Sequence, residues 1–260
     1  MQGFGAAHTP QCQVSGANSP CRAWRQWGRS LGGRLAGSCT QIGRRLGIEP
    51  AHVDRARVVP VEFAGPGART LRGLRSGEGD RWAVLVHGEG RDLDGWRPLA
   101  GFLAGRGFTA LAIDLPGHGA SDDPWESALA VPAVLAAIEF ARSQSSQQIH
   151  LVGEGVGAIA ALAAATDPMR RVASIVAISP DADDRVAELT EIREARAPKL
   201  ILVGSLSPGA LEIAEAVFRG AIGPCAMVKL PVAAQGTDLL AGEWGVHARE
   251  KVLEHLVRQF

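Results

Sequence analysis

Beyond about residue 56 the hydrophobic positions gather into short blocks separated by amphipathic stretches, and the two alternate to the end of the chain. Eight blocks read as strands: 57–63, 69–75, 82–87, 109–114, 149–153, 172–179, 200–204 and 226–230. Ile201, Leu202 and Val203 form an unbroken apolar run, the mark of a central strand covered on both faces. Helical spacing is expected over 96–105, 125–144, 156–166, 183–195, 208–220 and 243–258, each long enough to cross between parallel strands. The alternation predicts an α/β domain over residues 51–260, with an eight-stranded, mostly parallel sheet and helices on both faces.

Residues 1–50 follow a different pattern. The first 48 hold six arginines and no acidic residue, so the rest of the chain carries 21 of the 27 basic side chains and all 27 acidic ones. A neutral total thus hides a +6 segment attached to a −6 body. Trp24, Trp27, Leu31, Leu35, Ile42 and Leu46 share an arc of about 120° at helical spacing. The glycines among them cost roughly 1 kcal/mol each relative to alanine. We therefore expect a Gly/Arg-rich extension that is disordered, or helical only against a surface. A protein partner or a membrane surface, met through residues 22–46, is the expected contact.

Composition narrows the function classes. No stretch reaches the roughly 20 apolar residues of a membrane-spanning helix. The four cysteines, Cys12, Cys21, Cys39 and Cys225, form no Cys-x-x-Cys pair, which favours a reducing compartment and no zinc site. A cytoplasmic location is the expectation, with an organelle as the alternative because the start is arginine-rich and acid-free. Gly153-Glu154-Gly155-Val156-Gly157 breaks the dinucleotide spacing and is followed by no Gly-Lys-Ser or Gly-Lys-Thr. No nucleic-acid motif, metal-ligand cluster or cofactor signature accompanies it, so no nucleic acid, metal or cofactor is expected.

Six motifs in register carry a resemblance. They are His87-Gly88-Glu89-Gly90 after the third strand, Asp114-Leu115-Pro116-Gly117-His118-Gly119-Ala120-Ser121 after the fourth, and Leu151 to Gly157 around the end of the fifth. Ser179-Pro180, Val203 to Pro208 and Gln235-Gly236-Thr237-Asp238-Leu239-Leu240 follow at the ends of the last three strands. In order and spacing they resemble the α/β-hydrolase family, and the short link between strands six and seven resembles its small, cap-less carboxylesterase and dienelactone-hydrolase-like members. The resemblance implies a serine on the tight turn of Gly-x-Ser-x-Gly, a histidine base and an orienting carboxylate.

At those three positions this sequence has Gly155, Ser207 and Gln235. Glycine offers no nucleophile, and glutamine takes no proton near neutral pH. The expectation is a hydrolase-like protein without catalysis, a structural subunit or a binder of a partner or small molecule. In its elbow glycine it resembles the N-myc downstream-regulated family. Backbone amides at Val156 and near Glu89 would remain to bind a carbonyl or carboxylate oxygen. With Glu89, Glu154 and His118 nearby, a neutral or zwitterionic small molecule is the expected ligand. The alternative is a carboxylic ester or acyl hydrolase with relocated groups, drawing on Glu154, His118 or Asp181. His87 and His118 read as structural members of their loops, and Ser121, Ser179 and Ser205 as turn and cap residues.

Overall fold

The computed structural model describes residues 57–258 apart from 145, 184 and 185, so the extension and its expected helix over 22–46 lie outside the described residues. All eight strands are present: β1 (Val58–Ala64), β2 (Thr70–Ser76), β3 (Arg81–Val86), β4 (Phe108–Ile113), β5 (Gln148–Gly155), β6 (Ser174–Pro180), β7 (Lys199–Gly204) and β8 (Cys225–Leu230). They make one sheet in the order β1-β2-β4-β3-β5-β6-β7-β8. β2 is antiparallel to β1 and β4, and the other pairings are parallel.

The strands in the middle of the sheet are mostly apolar and are buried along nearly their whole length because helices cover both faces. Successive residues of β3 show the period of two: Trp82, Val84 and Val86 enter one core, while Ala83 and Leu85 enter the other. The first core is closed by α2 (Ala130–Ser143), α3 (Val156–Ala164) and α5 (Pro208–Gly220). The second is closed by α1 (Arg97–Ala104) and α6 (Gly245–Val257). α3 is built almost entirely from glycine, alanine and aliphatic residues, and eight of its nine residues are buried. Its small side chains let the helix lie close on the sheet, which brings the turn before it up to the strand ends.

Two helical expectations need correction. Over 183–195 only a four-residue helix forms, α4 (Leu189–Ile192). Glu188 is extended there and closes a capping box with Glu191, so the helix begins late. The buried Ala187, Ile192 and Ala195 also fall at spacings of five and three, too irregular for an amphipathic face. Over 125–144 the α-helix starts at Ala130, after a 3-10 turn at Ser127–Leu129. Pro132 belongs in a first helical turn, where its missing amide proton costs nothing, and this sets the late start.

One residue of β7 departs from the apolar rule. Lys199 is only 2% exposed. Its ammonium donates to the carbonyls of Ala195, Ala197 and Ile222 at 2.5, 2.9 and 2.7 Å, which satisfies all three protons. Burial lowers its pKa.

Candidate functional site

The strand ends that carry the six motifs converge at the turn between β5 and α3. Gly155 takes φ 54° and ψ −127°, a sparsely populated region for any residue with a side chain. Gly153 and Gly157 are needed for another reason. A Cβ on Gly153 would collide with the Gly157 backbone, and one on Gly157 would overlap the carbonyl oxygens of Val86 and His87. Gly155 has room by comparison. A Cβ there would lie 3.5 Å from the Gly88 Cα and 4.0 Å from the Asp181 Cβ, both ordinary contacts. Val156 is buried and opens α3, and the first amides of a helix have no acceptor within it.

Glu154 is the buried polar group of this turn, 2% exposed. Its Oε2 accepts from the Thr237 amide at 2.6 Å, while Oε1 has no partner of hydrogen-bond geometry among the described residues. Burial raises its pKa, opposed by the Thr237 amide and the nearby Arg91 charge. The Thr237 bond ties the turn to the loop after β8. Gly236, at φ 55°, lies so close to the carboxylate that a Cβ there would collide with it. The same loop is held from β6, where Ser179, itself at φ 42°, accepts from the Gly236 amide at 3.1 Å. Gln235 stands just before this clamp. Its Nε2 donates to the Ser207 Oγ at 2.5 Å, so the two side chains at the expected base and acid positions meet each other.

Because the folded protein keeps Glu154 neutral to a higher pH than the unfolded chain does, ionising it opposes folding as pH rises. Glu154→Gln preserves an acceptor for Thr237 and removes the charge. The variant should gain thermal stability over the natural protein at pH 8 and lose that advantage at pH 4.5, as read by melting curves. An equal effect at both values would show that the carboxylate is not charged at the higher one.

Glu89 and His118 form a second group. Trp125 Nε1 donates to Glu89 Oε1 at 3.0 Å, and its ring meets His118 edge-on at 4.8 Å. Glu89 is exposed on its outer side. Both ring nitrogens of His118 face backbone, Nε2 accepting from the Gly90 amide at 3.2 Å and Nδ1 lying 3.0 Å from the Pro116 carbonyl. His87 is engaged in the same way. Its Nε2 accepts from the Leu115 amide and Nδ1 reaches the Gly88 carbonyl, with burial lowering its pKa. Asp114 accepts from the Leu93 and Ala120 amides. These groups fix the loops after β3 and β4.

The three serines also bond to backbone. Ser121 Oγ donates to the Asp114 carbonyl at 2.7 Å and Ser205 Oγ to the Leu230 carbonyl at 3.0 Å, beside the Ser179 contact already described. Asp181 is exposed next to the elbow. Sequence reasoning missed Thr237, Trp125 and the pair Arg91–Asp238, whose 3.2 Å ion pair links the loops after β3 and β8. A tryptophan directly after Asp123-Pro124, in a loop otherwise polar, was the one usable signal.

A profile of the Alpha/beta hydrolase family matches residues 83–253. The chain belongs to that family. Among curated proteins, it is 31% identical over 123 residues to the dihydrolipoyllysine-residue acetyltransferase component of the acetoin cleaving system of Cupriavidus necator, covering 46% of this chain and 32% of that protein. It is 35% identical over 133 residues to the component of the same name in Pseudomonas putida, covering 48% and 34%. The match spans about a third of the length of these relatives. Among solved structures, dienelactone hydrolase from Anabaena variabilis ATCC 29413 superposes with a TM-score of 0.66 at 16% identity, over 77% of this chain and 97% of that one. That likeness is one of fold. No helix among the described residues is long and apolar enough to cross a membrane.

Proposed function

We propose that this α/β-hydrolase family member is non-catalytic and serves as a binding or structural subunit. The observation that carries the reading is the Gln235–Ser207 hydrogen bond beside an elbow that has glycine at its apex. In the family's chemistry a histidine takes the proton of the serine and a carboxylate holds the histidine. Here the two supporting positions form a neutral pair, and the apex has no side chain to deprotonate. What persists is backbone: the strained turn, the start of α3 and the clamped loop after β8. That frame suits a carbonyl-bearing neutral or zwitterionic molecule, since Glu89 and Glu154 disfavour a strongly anionic one.

The relatives' names describe them as components of a larger system, which supports a protein partner for this chain. The arginine- and tryptophan-rich residues 22–46 are the segment proposed to meet it, with a membrane surface as the other candidate. The proposed compartment is the cytoplasm, or an organelle if the N-terminal segment directs the chain there.

The second reading, hydrolysis by relocated groups, has one observation in its favour. Glu154 is buried, has a raised pKa and keeps one oxygen without a partner of hydrogen-bond geometry among the described residues. Its base is the difficulty, because His118 spends both ring nitrogens on the backbone.

The test is hydrolysis of short- and medium-chain activated esters, with fluorophosphonate labelling alongside. The natural protein should be silent, and a triple variant carrying Gly155→Ser, Ser207→Asp and Gln235→His should gain a label at residue 155. The space around a Cβ at 155 makes the first substitution feasible. Turnover by the natural protein that Gly155→Val abolishes, or that the triple variant fails to exceed, would overturn the proposal.

A further inference from the structure

The parallel strands begin at the opposite end of the sheet from the elbow. There Arg81, Gln148, Ala173, Pro198 and Leu256 surround a cavity of about 590 Å³. A water takes about 30 Å³ in the liquid, so the space suits an organic molecule. Among the described residues no acidic side chain lines it. The Arg81 guanidinium lies over the Phe108 ring at 4.3 Å, and no carboxylate among the described residues pairs with it. Stacking uses the flat face of the group and leaves its edge, which carries the N–H donors, available to a ligand.

The floor of the cavity supplies a second observation. His150 is 2% exposed, and its ring lies edge-on to Phe108 at 5.8 Å. Nδ1 lies 2.8 Å from the Ser174 Oγ, while Nε2 has no hydrogen-bond partner among the described residues. Burial holds the ring neutral, and the charges of His255 and Arg81 push the same way. Arg81 and His150 thus both contact Phe108, and the Arg81 charge is felt at the imidazole. Arg258 also lines the cavity and adds positive charge, but it already has a partner and is not counted as a contact.

We propose that this cavity binds a small organic oxyanion, its charged head on the Arg81 guanidinium and the Gln148 amide, its carbon body against Ala173, Pro198 and Leu256. An oxyanion accepts two parallel N–H bonds from a guanidinium edge, and the apolar wall removes the body from water. Carboxylates and phosphate monoesters share this chemistry. The site is independent of the elbow, so its test does not depend on the catalytic state of the protein.

The experiment follows the His150 ring carbon-bound protons by NMR in the full chain during titration with benzoate, phenyl phosphate and, as the neutral control, benzyl alcohol. A bound anion offsets the charge of Arg81, so at least one anion should shift the His150 signals saturably and raise the pH at which the ring protonates. Saturation by phenyl phosphate alone assigns a phosphate head, and saturation by benzoate alone a carboxylate head. Arg81→Gln should weaken binding by about tenfold or more, and Arg81→Lys should fall between the two because it keeps charge without the fork. The proposal is overturned if benzyl alcohol matches the anions, if Arg81→Gln leaves affinity unchanged, or if no probe perturbs His150 up to roughly 10 mM, the range of weak small-ligand binding.

Discussion

Gly157→Ala should be among the most damaging single-methyl changes in the protein, costing about 3 kcal/mol or more. The added carbon would sit against the Val86 carbonyl oxygen at 2.6 Å and closer still to that of His87. Both belong to β3 and the loop it feeds, in the middle of the sheet, so neither can move without disturbing the pairings to β4 and β5. For a domain of this size the loss corresponds to a fall in Tm of roughly 10 °C. Gly155→Ala provides the contrast. It meets open contacts and loses only the backbone freedom of glycine at positive φ, about 1–3 kcal/mol. Thermal melts of the two variants, side by side, separate steric from conformational need. Equal losses would mean that the packing of α3 against β3 is looser than the contacts here.

The second large effect concerns acid. His150 is lowered to about 4 by burial, with smaller contributions from the charges of His255 on α6 and Arg81 on β3. In the unfolded chain the ring returns to its ordinary value of 6.5. The unfolded state therefore takes up the proton first as pH drops, and stability falls between pH 6.5 and pH 4. Two and a half units correspond to about 3 kcal/mol. His87 and His255 are lowered as well, again chiefly by burial, and their contributions have the same sign. Urea unfolding at pH 7 and pH 4 should show a decline that shrinks by about 3 kcal/mol in His150→Gln relative to the natural protein. A decline of the same size in both would assign the acid sensitivity to the other histidines.

The fold was legible because its signals are dense and local. Most strands of the sheet contain a short apolar block, and the glycines of the β5–α3 turn, with the loops after β3 and β4, declare where strands end. Four of the six helices followed from spacing alone. The region 183–195 did not, since a capping pair and irregular apolar spacing leave only one helical turn. At the candidate site the motifs number Gly155, Ser207 and Gln235, and the structure sets Gln235 against Ser207. The supports of that site were less legible. Glu154 reads from the sequence as a group beside the ligand, yet it anchors Thr237, a contact 83 residues away that no local pattern encodes. His150 and Lys199 are polar residues at the starts of strands, and their burial depends on how α6 and the turn before β8 close over them.

The clamp on the loop after β8 has a consequence for how this sequence changes over generations. Ser179 and Glu154 hold Gly236 and Thr237 through backbone amides, so the path of the chain past residue 235 is set without help from that side chain. Position 155 differs, because a side chain there has room but strains the backbone at positive φ. Selection for a folded product therefore acts weakly on residue 235, whereas at 155 the backbone itself favours glycine. A lineage carrying this scaffold can exchange the residue at 235 without rebuilding the loop that presents it.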